Sequence, residues 1–106
     1  MITARFYMRD DGMLTGFHIS GHAETGEYGQ DVLCAFVSSA AYMTANTITD
    51  IIRADAKAEA DDGDMVVKVS EEDVPKCRVI LEGFRLHLEE TEKQYPKNLN
   101  VIITEV

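Results

Sequence analysis

The sequence predicts an α+β fold of order ββαββαβ, a mostly antiparallel sheet with two helices packed on it. Three observations carry that expectation. Apolar residues alternate with a period of two near both ends of the chain, they recur at steps of three and four in two inner segments, and Asp-Gly turn signals separate the strand segments in pairs.

Ile2, Ala4, Phe6 and Met8 alternate with Thr3, Arg5 and Tyr7, as a strand with one buried and one wet face requires. Arg9-Asp10-Asp11-Gly12 is a turn, and Leu14 to Ser20 returns as a second strand with Phe17 and Ile19 on one face. From Asp31 to Ile52, the residues Leu33, Val37, Ala40, Thr44, Ile48 and Ile51 form a core-facing stripe, widened by Phe36, Ala41 and Ala45. That segment predicts a central helix roughly 30 Å long at about 1.5 Å per residue. Asp31 stands at its N-cap, where a carboxylate accepts a first-turn N–H. Lys57 to Ala60 and Met65 to Ser70 flank Asp61-Asp62-Gly63-Asp64 and predict a second hairpin. A second helix follows, capped by Ser70 or Asp73 and tolerating Pro75 in its first turn. It aligns Val74, Cys77, Leu81, Phe84 and Leu88 on one face and closes at Tyr95-Pro96. Leu99 to Val106 supplies the last strand, with Leu99, Val101 and Ile103 sharing a face.

The 106 residues form one domain, 1–106, with no internal repeat, linker or low-complexity run. Met1 to Met8 lacks the cationic start and apolar block of a targeting signal, and no stretch approaches the roughly 20 apolar residues that span a bilayer. A cytoplasmic protein with no membrane partner is therefore expected. Two cysteines, Cys34 and Cys77, are too few for a secreted disulfide scaffold and are read as thiols. Nineteen acidic residues against ten basic ones give a formal net charge of −9. Such a surface repels phosphate backbones, which excludes direct nucleic-acid binding, and its field draws in a basic peptide or protein.

Residues 21 to 35 read GHAETGEYGQDVLCA and place His22 just past the second strand and Cys34 in the first turn of the long helix. A helix start and a neighbouring imidazolium both favour a thiolate, the nucleophilic form, and the free N–H groups of the helix start are fit to hold an oxyanion. This arrangement outlines a cysteine hydrolase, with Asp31 as the helix cap and a candidate for orienting His22. Packing accounts for the same residues, because a first-turn cysteine is often a small core residue. Ser38, one turn after Cys34, either hydrogen-bonds the thiol or bonds a helix carbonyl. Cys77 shares its stripe with Leu81, Phe84 and Leu88 and is read as buried. His18 and His22 stand roughly 13 Å apart along an extended strand, too far to clamp one ion. A site built from His22, Cys34 and Asp31 is the remaining metal alternative. No metal or other cofactor is called for, and TGEYGQD lacks the Gly-Lys-Ser/Thr ending of a phosphate loop.

Gly21-His22-Ala23, followed after a loop by Gly29-Gln30-Asp31-Val32-Leu33-Cys34-Ala35 and then Val37-Ser38, resembles the ribosomal-processing cysteine protease (Prp) family over nearly the whole chain. The resemblance implies a small cytoplasmic endopeptidase of bacteria related to Bacillus and Clostridium. It would remove the amino-terminal extension of a large-subunit ribosomal protein, taking that protein's N-terminal peptide as substrate, and would form a homodimer. It implies His22 and Cys34 as the catalytic pair and Gly21, Asp31 and Ser38 as supporting or substrate-positioning residues. Phe36 departs from the family's usual Gly, Ala or Ser, and its ring either narrows the peptide groove or faces the core. Two rival classes stand beside this reading. One is a non-enzymatic ribosome-assembly factor that binds a basic ribosomal protein, and the other is a metal or redox module.

Overall fold

The computed structural model describes residues 1–21 and 30–106, with Gln30 and Asp31 described by their backbone alone. The elements are β1 (Ile2–Met8), β2 (Leu14–Ser20), α1 (Gln30–Asn46), β3 (Ala56–Asp61), β4 (Asp64–Val69), α2 (Arg78–Gln94) and β5 (Leu99–Glu105). The ββαββαβ order is the expected one. The strands lie in the order β3-β4-β2-β1-β5. Among the described residues only the β1–β5 pair is parallel; β1–β2, β2–β4 and β3–β4 are antiparallel.

This order explains why both helices share one face. β2 runs parallel to β3 and β4 to β5, so α1 and α2 each connect parallel strands by a crossover, in opposite senses and toward opposite edges. Two right-handed crossovers arranged in this way fall on the same side of the sheet. The core fills that side. Phe6, Phe17 and Phe84 meet there with centroid separations of 6.2, 5.5 and 4.8 Å, two of the three pairs edge-on. Val74, Cys77, Leu81, Phe84 and Leu88 are all buried as the spacing of three and four requires.

Several details depart from simple periodicity. Tyr7 pairs with Gly16 but Met8 pairs with Leu14, so Thr15 is an extra residue in β2. This bulge flips the alternation and turns Leu14 to the core alongside Phe17 and Ile19. The central helix is α-helical only to Asn46 and continues as a π-helical turn, Thr47–Ile52. The wider turn leaves Ile48 buried and Ile52 packed against the core, while Ile51, expected in the stripe, is 77% exposed. The hydroxyls of Thr44, Thr47 and Thr49 each donate to the carbonyl four residues back. Phe36, also expected in the stripe, is exposed. The helical stretch Val32–Ile52 is 21 residues of mean hydropathy 1.3, long and apolar enough to cross a bilayer by length and composition, contrary to the expectation of none. Here its buried side, with Leu33, Val37, Ala41, Thr44, Ala45 and Ile48, lies in the core.

The second helix opens as a 3-10 segment, Glu71–Cys77, because Pro75 lacks the N–H of an α-turn and its ring crowds the carbonyl four residues back. Neither expected side chain caps it. The backbone carbonyl of Ser70 accepts the N–H groups of Asp73 and Val74. The Asp73 carboxylate instead accepts the Asp55 N–H at 2.7 Å and pairs with Lys76 at 3.1 Å. At the β5 edge, Glu92 of α2 accepts the outward N–H of Val101 at 2.7 Å. Leu99 is buried there and Val101 packs on the core, whereas Ile103 is exposed.

Candidate active site

The β2–β4 register pairs Ser20 with Asp64, which sets the β3–β4 turn beside the end of β2. Gly21 comes next. Its φ of +90° lies in the left-handed region, and a Cβ placed there would sit 2.3 Å from the Met1 carbonyl oxygen. Glycine is therefore the residue that lets the chain leave β2 pressed against the start of β1. His22 lies outside the described residues, and so does any contact it makes.

α1 opens at Gln30, one residue before Asp31. Asp31 is thus inside the first turn rather than the flanking cap that the sequence suggested, a position where helix starts also favour acidic residues. Cys34 becomes the fifth helical residue instead of about the third.

Cys34 is half-buried, with its inner side against the core. It lines a cavity of about 260 Å³ together with Gly21, Val37 and Ser38. The floor includes Ile2, Ile19 and Met65. Ser38 is exposed on this wall and, among the described residues, bonds neither the thiol nor a helix carbonyl. Three of the sequence-derived residues, Gly21, Cys34 and Ser38, are thus brought to one cavity. Phe36 lies on another side of α1: its ring stacks on His87 of α2 at 5.0 Å, so it neither narrows this groove nor enters the core. His18 pairs with Asp64 at 2.6 Å.

Cys77 is the counterexample to Cys34. It is fully buried, and burial pushes its thiol above the ordinary range, with the Asp73 carboxylate adding to the effect. Sequence reasoning missed Tyr42 and the turn residues Asp61, Asp62 and Asp64, which also line the cavity. Tyr42 falls on the same helical side as Cys34 and Ser38, at steps of four, and that spacing was available as a signal. The turn gave none, because only the pairing of β4 with β2 brings it to Cys34.

A family model, Cysteine protease Prp, matches residues 1–100. The ribosomal processing cysteine protease Prp of Staphylococcus aureus (strain Mu50 / ATCC 700699) is 27% identical over 103 residues, covering 95% of this chain and 97% of that one. Its namesake in Bacillus subtilis (strain 168) is 28% identical, covering 95% and 96%. The crystal structure of the S. aureus protease Prp with a covalently linked product peptide superposes with a TM-score of 0.86 at 26% identity, covering 98% of this chain and all of the other. A family-model match over residues 1–100, which includes both crossovers and the cavity-lining thiol, with relatives aligned over 95% of the chain, places this chain in the cysteine protease Prp family.

Proposed function

We propose that this chain is the cysteine endopeptidase that removes the N-terminal extension of a large-subunit ribosomal protein. The observation that carries the reading is Cys34, half-buried on α1 and opening with Gly21 and Ser38 on a cavity large enough for a peptide side chain. A product peptide covalently linked in the S. aureus relative supports it.

In this mechanism His22 takes the Cys34 proton as the sulfur attacks the scissile carbonyl, and returns it to the leaving amine. The acyl group is left as a thioester on Cys34, and water then releases it as a carboxylic acid and regenerates the thiol. The role of His22 rests on the sequence resemblance. Backbone amides of the helix start, which lack intrahelical partners, are the donors assigned to a developing oxyanion. Asp31 in the first turn supports the site, and Ser38 and Gly21 shape the groove. The working form is a cytoplasmic homodimer with no nucleic-acid partner, a net charge of −9 being repelled by phosphate.

The test is incubation with the extended ribosomal protein, followed by mass spectrometry. The wild-type chain should release the extension while Cys34→Ala and His22→Ala should not. Equal cleavage by all three ends the reading. Sedimentation of the purified chain tests the dimer.

A further inference from the structure

We propose that Tyr42 and the Asp61–Asp64 turn form a second subsite of the same groove, one that selects substrates with a lysine or arginine three or four residues from the scissile bond. This rests on the peptidase reading above and adds the substrate's chemistry to it.

Cys34, Ser38 and Tyr42 follow one another at steps of four along α1, and all three line the cavity. At about 1.5 Å per residue, Tyr42 is about 12 Å along the helix axis from Cys34. An extended peptide advances about 3.3 Å per residue, so that span corresponds to three or four residues. The turn that carries Asp61, Asp62 and Asp64 lines the same cavity as Tyr42. Carboxylates on a hairpin turn alone would mark only a solvated loop. Here they line the same cavity as the thiol and a half-exposed aromatic ring.

The carboxylates differ in their engagements. One Asp61 oxygen accepts the Asp62 N–H at 2.8 Å, and Asp64 pairs with His18 at 2.6 Å. Asp62 has no ion pair among the described residues. No described residue lining this cavity is Lys or Arg. Among the described residues there is also no group of three or more His, Cys, Asp or Glu able to hold a metal ion. A lysine or arginine suits both walls: its methylene stem covers the ring, and its charged head meets the carboxylates.

The probe is a quenched fluorescent peptide from the N-terminal extension junction of the ribosomal protein. A single lysine is walked from one to six residues on each side of the scissile bond, with norleucine as the uncharged isostere. The wild-type chain should prefer lysine over norleucine in kcat/KM by about five- to tenfold at a position three or four residues away. Asp61→Asn with Asp62→Asn should bring that ratio close to one, as should 0.5 M salt, while Tyr42→Ala reduces it and Tyr42→Phe keeps it. Asp64 is left intact to preserve its pair with His18. The same peptides are bound to Cys34→Ala and followed by anisotropy, so the subsite is read even if no peptide is cleaved. Loss of cleavage with the lysine preference in binding retained would defeat only the peptidase reading. An unchanged ratio in the double variant, or a preference confined to positions next to the scissile bond, overturns the subsite.

Discussion

At the scale of single residues, Gly21 carries two demands at once. Its φ of +90° and the 2.3 Å approach of a would-be Cβ to the Met1 carbonyl make it a backbone necessity, and it also lines the cavity beside Cys34. Gly21→Ala should cost about 1–3 kcal/mol in urea unfolding and lower cleavage further than that loss explains, because the end of β2 must shift. Stability equal to the wild type would show that the approach relaxes freely. The two cysteines give a second residue-level prediction. Iodoacetamide on the native chain should modify Cys34 and spare Cys77, as peptide mapping would show, since one thiol is half-exposed and the other fully buried. Because burial raises the Cys77 pKa in the fold, its neutral thiol favours folding fully below the unfolded value of about 8.5, and that contribution is lost as pH rises through the higher folded value. Cys77→Val should therefore flatten the alkaline side of the stability profile.

At the scale of elements, Asp73 ties the start of the 3-10 segment to the residue before β3, through the Asp55 N–H and then Lys76. Both interactions hold its carboxyl below the ordinary carboxylate range. The sign follows: this support is present above the unfolded value of about 3.9 and disappears as pH falls through the lower folded one. Asp73→Asn should melt earlier than wild type at pH 7 and show a smaller difference near pH 2, measured by circular dichroism; a gap that is the same at both pH values would remove the clip from the account. The elements themselves were legible because burial imposes its period on sequence, as the α2 stripe from Val74 to Leu88 shows. What escaped was anything that changes the period partway. The extra Thr15 in β2, the π-helical turn after Asn46 and the 3-10 start at Glu71 each depend on packing against another element. The site divides along the same line. Gly21, Cys34 and Ser38 lie within one short stretch, whereas Asp61–Asp64 reaches them only through the sheet order.

At the scale of the molecule, one core serves both crossovers, with Phe84 of α2 touching Phe6 of β1 and Phe17 of β2 at its centre. A single shared core means the helix layer has no independent way to open. Cys77 reports on this, because it is buried under the same layer and has no exposure in the fold. In a Cys34→Ala background, labelling of Cys77 along a urea gradient should follow the same transition as far-UV circular dichroism. Phe84→Ala removes the ring that joins the two strands to α2 and should shift both curves together by about 3–5 kcal/mol. Labelling that precedes the dichroism change would mean that α2 lifts from the sheet before the strands separate. The groove would then have a moving wall, since Val37 and Ala41 lie both in that core and along the cavity. Coincident curves would mean that the cavity and the core are lost together, and that the peptide groove is as stable as the fold that shapes it.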